Sequence, residues 1–549
     1  MNSASRLVAV VFSAALLMVP AVLHADDDKT AAKPAAAAEK AAETVPPPDS
    51  TTEGTVDAGG QHIAYTAVAG ILTVGATDAQ DGQLGMDGKP QPGSQLALSA
   101  PKEPTDAPPV ARMSYVAYFK KDAKAEDRPV TFFYNGGPGS STVWLHMGSL
   151  GPKHVATDMD THLPAAPYKL EDNAETLLDV SDLVFIDAPG TGFGRLIGKD
   201  ADKAFWGVDE DGGAFSRFIA RFITKYNRWN SPKFVFGESY GTTRSAVLSK
   251  MLEDNESIDL NGVILLSQIF NFSVFLDGAE GNPGVDLPYE LALPTYAATA
   301  WYHKKLAQPP AALEPFLKEV EDYAMGPYAH ALAQGTDLGD AEKQAVAEKL
   351  HDYTGLPVAY LLKANLRVDG GEFEKNFLDD QDMTTGRYDT RFSGPTVDPL
   401  SKEADYDPQS AAISSAYVSL LNDYMRRVLK YGEGQTYLPT INVFGDGAKW
   451  DFTHNGNPLG LNVSSDLAEA MKTNPRLKVM LNGGYYDLAT PFFEAQYEEK
   501  HLPIPASLAK NIEYDWYESG HMVYVRSECL KQLHDRVATF IKGASGVAQ

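Results

Sequence analysis

The sequence is nearly free of cysteine. Cys529 is the single cysteine among 549 residues, so no disulfide can form within the chain and the core alone must hold the fold. With one cysteine, no Cys/His cluster of the structural zinc type is available, and we expect neither a metal nor a cofactor. Apolar residues flank Cys529 at helical spacing, which predicts a small core residue on a terminal helix rather than a catalytic thiol.

Basic residues are also scarce. The 47 Lys and Arg are outnumbered by 73 Asp and Glu, which gives a formal net charge of -26 at pH 7. A surface this acidic repels phosphate backbones and anionic lipids, so nucleic acid is excluded as an expected partner. The 44% apolar content is ordinary for a globular protein, and the length allows a large core.

Long apolar runs are missing beyond the N-terminus. Arg6 precedes the apolar stretch Leu7–Leu23, and Leu-His-Ala at Leu23–Ala25 fits a signal-peptidase site. We therefore interpret 1–25 as a signal peptide and expect a periplasmic or secreted protein without stable membrane insertion. Residues 26–50 are mostly Ala, Lys, Glu and Pro, which predicts a disordered linker. The oligomeric state is left open.

Strand patterns begin after this segment. Two β-rich runs, His62–Thr66 and Met113–Phe119, flank a Gly/Pro/Asp-rich stretch at 78–109 that predicts a long loop. Short apolar strands separated by helix-compatible segments then follow. They are predicted at 130–134, 183–186, 234–236, 263–266, 441–444, 477–481 and 512–517. Such strands are typical of a parallel sheet buried on both faces, whose ligands bind beyond the carboxyl ends of the strands.

Between 271 and 439 the strand pattern weakens and helical runs dominate. They are Pro310–Met325, Asp340–Tyr353 and Ala411–Tyr431. Because sheet strands return afterwards, we interpret 271–439 as a largely helical cap inserted into a catalytic domain made of 51–270 and 440–549. The alternative is a separate helical domain with its own task.

The sequence Gly237-Glu238-Ser239-Tyr240-Gly241 predicts a nucleophile. It has the Gly-x-Ser-x-Gly form of a strained strand-to-helix turn that exposes a serine hydroxyl. The pentapeptide alone is weak, since it also occurs by chance. Here an apolar strand precedes it and the helix-compatible run Thr242–Leu252 follows, which favours Ser239 as nucleophile in an α/β-hydrolase fold.

A serine nucleophile needs a base and an orienting acid, and in this fold they follow in the order acid, then histidine. His521 comes just after the last predicted strand, and Asp487 comes after the strand before it. The rival acid is Asp446, which follows the predicted strand 441–444. We prefer Asp487 because it precedes the histidine strand directly.

A glycine-rich loop follows the first parallel strand, at Asn135-Gly136-Gly137-Pro138-Gly139. It lacks the Lys-Ser/Thr of a phosphate loop, so that alternative is weak. In this fold an early glycine-rich loop places a backbone N–H beside the substrate carbonyl.

Together these segments resemble the serine carboxypeptidase family, in what looks like a divergent bacterial branch. The resemblance is carried by 135–141, 237–241, Asp487, Gly520-His521-Met522 and the glycine loop 187–193. It implies the triad Ser239, Asp487 and His521. It also implies an oxyanion hole from the N–H groups of Gly137 and Tyr240, and a carboxylate site formed by Asn135, Gly136 and Glu238.

The chain also departs from the family pattern. Ser149 stands where a Glu often helps to bind the substrate carboxylate, and the disulfides of secreted eukaryotic members are absent. The resemblance implies a carboxypeptidase that acts on a peptide, or on another small acyl substrate, through an acyl-enzyme. An esterase, acyltransferase or aminopeptidase on the same machinery remains open, as does an inactive binding protein of this fold.

Overall fold

The computed structural model describes residues 46–99, 106–157, 160–444, 449–458 and 460–546. The expected signal peptide and all but the end of the expected linker lie outside these ranges. In chain order the strands are β1 (Ser50–Ala58), β2 (Gln61–Gly75), β3 (Val110–Lys120), β4 (Val130–Tyr134), β5 (Lys153–Val155), β6 (Leu170–Asp172), β7 (Asp182–Ile186), β8 (Arg195–Ile197), β9 (Lys233–Glu238), β10 (Gly262–Leu266), β11 (Met383–Thr385), β12 (Ser393–Pro395), β13 (Lys478–Gly484) and β14 (Ile512–Tyr517).

One large twisted sheet organises the described residues, with the spatial order β1-β2-β3-β7-β4-β9-β10-β13-β14. From β7 to β14 every neighbouring pair is parallel, whereas β1, β2 and β3 join as antiparallel strands, and β8 pairs with β3 outside this path. The mostly parallel sheet of an α/β-hydrolase is therefore confirmed. Two small two-stranded sheets, β5-β6 and β11-β12, lie apart from it.

Helices connect and cover these strands. They are α1 (Asp78–Asp81), α2 (Gln95–Leu98), α3 (Val143–Gly148), α4 (Ala201–Phe205), α5 (Val208–Lys225), α6 (Tyr240–Glu256), α7 (Leu287–Tyr302), α8 (Leu313–Tyr323), α9 (Ala329–Ala333), α10 (Asp340–Thr354), α11 (Val358–Lys363), α12 (Gly370–Asn376), α13 (Pro408–Arg427), α14 (Ser464–Thr473), α15 (Phe492–Lys500), α16 (Ala506–Ala509) and α17 (Ser527–Ala544). In the part of the chain that the structure describes, none of these helices is long and apolar enough to cross a bilayer.

The central strands are buried on both faces, as their unbroken apolar sequences predict. Neighbouring residues of β4 show this, since Phe132 and Phe133 are both fully buried but belong to different hydrophobic clusters. One cluster lies under α3, α13 and α17, and the other lies under α5, α6 and α14. Cys529 is buried in the first cluster, on the terminal helix where the sequence predicts it.

The inserted segment divides between two environments. The helices from α7 to α12 form their own hydrophobic cluster, which also contains Tyr485, Tyr486 and Phe492 from the loop and helix after β13. By contrast, α13 packs on the sheet with α3, because Ile413, Tyr417 and Leu421 belong to the sheet cluster. The exact limits of a cap at 271–439 stay a prediction.

Two local predictions are wrong. The stretch 78–109 is not only loop, since Thr77 and Ser94 accept hydrogen bonds from backbone N–H groups and thereby cap the short helices α1 and α2. Residues 441–444 form no strand. Ile441 instead donates its N–H to the carbonyl of Gly139, so this apolar segment packs along the glycine loop rather than in the sheet.

Candidate active site

Ser239 occupies the sharp turn between β9 and α6. Its backbone angles are φ 61° and ψ -131°, a positive φ that a residue with a side chain seldom adopts. A Cβ on Gly237 would lie 2.2 Å from the carbonyl oxygen of Gly241, and one on Gly241 would lie 2.9 Å from that of Tyr134. Both glycines of the pentapeptide are therefore required by close backbone contacts, and the turn leaves Ser239 half-buried while its two neighbours are buried.

Asp487 and His521 form a hydrogen bond. The distance from Oδ2 of Asp487 to Nδ1 of His521 is 2.8 Å, and both side chains are buried. Oδ1 of Asp487 accepts the N–H groups of Ala489 and Thr490 at 2.9 and 3.0 Å, and the Thr490 hydroxyl donates to Oδ2 at 2.8 Å. The carboxylate is thus fixed toward Nδ1, which leaves Nε2 of a neutral imidazole as the basic nitrogen.

The electrostatics of His521 suit a base. Burial alone lowers the pKa of an imidazole because it penalises the cation. The charge of Asp487 and its hydrogen bond act in the opposite direction, and together they raise the pKa of His521 above its ordinary value. Ion-pairing with Asp487 therefore stabilises the imidazolium that forms when His521 takes a proton.

Strand β10 links Ser239 to His521. The N–H of Ser239 donates to the carbonyl of Leu266 at 3.0 Å, and the hydroxyl of the next residue, Ser267, donates to the carbonyl of His521 at 2.7 Å. Because β10 lies between β9 and β13, the serine turn and the histidine loop meet at the carboxyl edge of the sheet, on either side of the end of β10.

The glycine loop after β4 packs directly against the serine turn. A Cβ on Gly136 would lie 2.4 Å from the backbone nitrogen of Tyr240 and 2.8 Å from the carbonyl oxygen of Glu238, so glycine alone fits. Gly137 has a φ of 109°. Tyr240 is the first residue of α6, where an N–H has no intrahelical acceptor. The loop therefore brings the backbone of 136–137 beside an N–H at a helix N-terminus, which suits the predicted oxyanion hole.

Asn135 and Glu238, the residue before Ser239, are hydrogen-bonded to each other. Nδ2 of Asn135 donates to Oε1 of Glu238 at 3.0 Å, while Oδ1 of Asn135 accepts the N–H of Leu145 at 3.1 Å. Burial raises the pKa of Glu238 to about 7, although the nearby charge of His521 opposes this shift. In weakly acid solution Glu238 is therefore a neutral carboxyl group that can donate a hydrogen bond.

The inserted segment contributes a part of the site that the sequence analysis missed. We call residues 386–391 the clamp segment. The N–H of His521 donates to the carbonyl of Tyr388 at 2.6 Å, and the carbonyl of Arg387 accepts the N–H groups of Leu488 and Ala489. The ring of Tyr388 also lies 5.0 Å from the imidazole of His521. One segment therefore holds the loops of both the acid and the histidine.

A buried ion pair stabilises the clamp segment. The Arg391 guanidinium contacts both carboxylate oxygens of Asp389, at 2.9 and 2.5 Å, and donates to the carbonyl of Glu518 at 2.6 Å. A Cβ on Gly520 would lie 2.4 Å from the carbonyl oxygen of Tyr388, so the glycine before His521 allows this close approach. The contacts join chain segments about 130 positions apart, and no local sequence signal predicts them.

Sequence analysis also missed a buried ion pair on the helix that follows Ser239. Arg244, on α6, is fully buried and donates to Asp211 at 2.6 Å and to the carbonyl of Asn135 at 2.7 Å. It thereby ties the helix after Ser239 to the glycine loop. In the sequence, the pair is marked only by an arginine about one turn after the serine motif. Sequence alone does not distinguish such a buried arginine from an exposed arginine on a helix.

The rival acid, Asp446, lies outside the described residues. The premise that favoured it fails, because 441–444 is not a strand of the sheet. Asp487, in contrast, follows β13 and bonds His521.

Residues 109–303 match the sequence profile of the family described as serine carboxypeptidase. The matched stretch contains Asn135, Gly136, Gly137, Glu238, Ser239 and Tyr240, and the structure adds Asp487 and His521 from beyond it.

Over this stretch the chain is similar to the serine carboxypeptidases.

Curated relatives of this family match only in part. A serine carboxypeptidase-like protein of Oryza sativa subsp. japonica is 29% identical over 151 residues, which cover 27% of this chain and 32% of the relative. The pheromone-processing carboxypeptidase KEX1 of Verticillium alfalfae is 28% identical over 142 residues, 25% of this chain and 20% of that protein. The chain thus spans about a third or less of the length of these two relatives. A bacterial branch stays a prediction.

The fold of a solved carboxypeptidase extends over most of the chain. KEX1(delta)P, a prohormone-processing carboxypeptidase from Saccharomyces cerevisiae, superposes with a TM-score of 0.50 at 13% identity. The superposition covers 87% of this chain and 91% of that protein. At this identity the likeness establishes the fold, and the chemistry must be argued from the site.

Proposed function

We propose that this chain is a serine carboxypeptidase that releases C-terminal residues from peptides through an acyl-enzyme. Ser239 Oγ attacks the scissile carbonyl carbon while His521 Nε2 takes the hydroxyl proton, and Asp487 holds the imidazole in place. The N–H groups of Gly137 and Tyr240 stabilise the oxyanion. When the C–N bond breaks, His521 returns the proton to the leaving amine, and water then hydrolyses the acyl-enzyme by the same route.

The observation that carries exopeptidase specificity is the Asn135–Glu238 pair, one residue from the nucleophile. A carboxypeptidase must recognise a free carboxylate close to the bond that it cleaves. Because Asn135 bonds Oε1 of Glu238, a proton on the neutral carboxyl group belongs to Oε2, and the Tyr524 side chain also lies within reach of this carboxyl group. A buried carboxyl group that can donate a hydrogen bond, next to Ser239, supports binding of a substrate carboxylate there.

The contacts of the clamp segment favour an enzyme over an inactive binding protein of the same fold. The Asp487–His521 pair is buried and held by backbone hydrogen bonds from two directions, which is the preorganisation that a nucleophile–base unit needs.

A substrate comparison tests the function. An N-blocked dipeptide, its C-terminal amide and a simple ester would be offered to the enzyme, with product release followed by mass spectrometry. We expect kcat/KM for the free acid to exceed that for the amide by tenfold or more, on the order of one charged hydrogen bond. Equal cleavage of acid and amide would instead indicate a general peptidase, and cleavage of the ester alone would indicate an esterase.

A fluorophosphonate probe separates an enzyme from an inactive binding protein. We expect labelling of the native chain and none of the Ser239→Ala variant. A native chain that the probe does not label would contradict the catalytic role of Ser239.

A further inference from the structure

The five residues that follow β10 connect two parts of the active site. We call residues 267–271 the bridge segment. Its first residue, Ser267, donates its N–H to the carbonyl of Asn482 at 2.8 Å and its hydroxyl to the carbonyl of His521 at 2.7 Å. Asn482 belongs to β13, the strand before the loop that carries Asp487. One end of the bridge segment is therefore fixed to the histidine loop and to the strand that precedes the acid.

The middle of the bridge segment contacts the helix that begins after the nucleophile. The Thr243 hydroxyl donates to the carbonyl of Ile269 at 2.7 Å, and the N–H of Ile269 donates to the Thr242 hydroxyl at 3.0 Å. The Thr242 hydroxyl in turn donates to the carbonyl of Ser239 at 2.7 Å. A displacement of Ile269 would therefore be transmitted to Ser239 through a single side chain.

A buried carboxylate holds the rest of the bridge segment. Oε2 of Glu498 accepts Nε2 of Gln268 at 2.8 Å and the N–H of Phe270 at 2.9 Å, while Oε1 accepts the N–H of Asn271 at 2.8 Å. Glu498 is 5% exposed and Gln268 is 1% exposed. Burial of a carboxylate is costly unless hydrogen bonds compensate it, and here three donors from one short segment do so.

Glu498 lies on α15, the helix that directly follows the Asp487 loop. A second buried acid, Glu494, lies one turn earlier on the same helix, and its Oε1 has no hydrogen-bond partner among the described residues. Burial raises the pKa of Glu494 well above its ordinary value, and the charge of Glu498 raises it further. Burial also raises the pKa of Glu498 to about 7, but its three donors oppose this shift. Of the two acids, Glu498 is therefore the one whose negative charge the surrounding chain stabilises.

We propose that Glu498 is a positioning residue for catalysis, which fixes the bridge segment and thereby the relative placement of Ser239 and His521. The inference rests on the serine-hydrolase chemistry proposed above and adds to it a residue that acts through others. A nucleophile and its base tolerate little displacement, since a shift of about 1 Å can cost on the order of a hundredfold in rate. Glu498 and Gln268 are 230 positions apart in the chain, so no local pattern predicts the contact.

The neighbouring residue, Glu499, provides a matched control. It is also a buried acid on α15, but both of its carboxylate oxygens are without a hydrogen-bond partner among the described residues. Glu498→Gln and Glu499→Gln therefore make the same chemical change at adjacent buried positions. In Glu498→Gln an NH₂ group replaces one accepting oxygen, so at least one donor of the bridge segment loses its acceptor.

The test measures how well each variant activates Ser239, at a temperature below its unfolding transition. The second-order rate of fluorophosphonate labelling is compared with kcat and KM for a simple ester and for an N-blocked dipeptide acid. In Glu498→Gln we expect the labelling rate and kcat to fall by about tenfold or more, because the serine and the base lose their alignment. KM is expected to change little, and Glu499→Gln is expected to keep the native labelling rate and kcat.

Ser267→Ala tests the route through the bridge segment, because it removes the bond to the His521 carbonyl. We expect it to lower the labelling rate as well, and the double variant with Glu498→Gln to lose less than the product of the two single losses. Amide hydrogen exchange at Phe270 and Asn271 should be faster in Glu498→Gln than in the native protein. Full additivity of the two losses would show that Glu498 does not act through the bridge segment.

The outcomes separate this inference from the function on which it rests. If the native chain is labelled but Glu498→Gln keeps its labelling rate and kcat, or Glu499→Gln loses as much, Glu498 has only a structural role and the proposed function stands. Should Glu498→Gln fail to fold, Ser267→Ala decides the question, since a native labelling rate in that variant would overturn the inference. If the probe does not label the native chain and no substrate is turned over, both the function and the inference fail.

Discussion

At the scale of single residues, the Asp487–His521 contact makes the sharpest prediction. We expect Asp487→Asn to lower kcat/KM by roughly a thousandfold or more, because an amide no longer fixes the proton on Nδ1 of His521. Asp487 also raises the pKa of His521, so its loss shifts the acid limb of the pH profile to lower pH. Steady-state kinetics between about pH 4 and pH 8 measure both effects, since an ordinary histidine titrates near 6.5.

The matched control for this variant is Asp446→Asn, which we expect to change kcat/KM little. A larger loss in Asp446→Asn than in Asp487→Asn, with unaltered circular dichroism, would show that the acid is misassigned.

The raised pKa of Glu238 predicts how substrate binding depends on pH. Its pKa is raised to about 7, so it is a neutral donor below that pH and an anion above it. A substrate carboxylate is ionised throughout this range, since its pKa is near 3.5. We therefore expect KM for a peptide acid to rise as the pH increases through 7, because two negative charges then face each other. KM for the C-terminal amide is expected to change much less.

Glu238→Gln is the informative variant, because an amide donates a hydrogen bond at every pH. It should flatten the rise in KM for the peptide acid. A rise that persists unchanged in Glu238→Gln would assign the pH dependence to a group other than Glu238.

At the scale of elements, the clamp segment connects the insertion to catalysis. We expect Arg391→Lys to lower kcat by about tenfold or more, because a lysine cannot make the forked contact with Asp389 and the Glu518 carbonyl together. A displacement of the His521 loop by a fraction of an ångström is sufficient for such a loss. Steady-state kinetics and urea unfolding would be measured on the same preparations.

Arg128→Lys provides the control for that element. Arg128 is buried, pairs with Asp182 at 2.6 Å and donates to the carbonyl of Leu178, at the opposite end of the parallel strands. Both variants should lose unfolding free energy, but only Arg391→Lys should lose kcat. Equal kcat values in the two variants would show that the clamp segment has only a structural role.

At the scale of the whole molecule, buried acids predict a loss of stability at alkaline pH. Burial raises the pKa of Glu498 to about 7 and that of Glu499 to about 8. Such groups stabilise the fold fully below their unfolded pKa near 4.5, and this stabilisation is lost as the pH rises through the folded value. Although burial opposes the shift, hydrogen bonds and ion pairs with Asp209 and Asp466 raise the pKa of His454 to about 9. The stability that protonated His454 gives to the fold is likewise lost as the pH rises through 9.

Buried histidines with lowered pKa, such as His146, act in the opposite direction, but only below about pH 6.5, where the unfolded chain takes up protons. We therefore expect Tm to fall between pH 7 and pH 9, measured by calorimetry at constant ionic strength. Glu499→Gln should reduce this fall, because both carboxylate oxygens of Glu499 are buried and have no hydrogen-bond partner among the described residues. Glu528→Gln, at a side chain 81% exposed, serves as control. A Tm that is constant or rises to pH 9 would contradict the prediction.

Much of this fold follows from local sequence. The runs of β4, β7, β9 and β10 are apolar and short because those strands are buried on both faces, so their positions could be predicted almost to the residue. The Gly-x-Ser-x-Gly turn was equally readable, because a strained turn restricts its neighbours to glycine. The segment 441–444 shows the limit of such predictions. It has the apolar residues of a buried strand but packs on the glycine loop, because an apolar run indicates burial and does not indicate which element the segment contacts.

Local sequence was sufficient to predict the parallel sheet and the serine turn at Ser239, because each depends on residues adjacent in the chain. Which side chains surround Ser239 depends on the tertiary fold. The clamp segment, the Arg244–Asp211 pair and the contacts of Glu498 with the bridge segment bring together positions separated by tens to hundreds of residues. Such contacts depend on the packing of whole elements against one another, and packing leaves no periodic or local pattern in a single sequence.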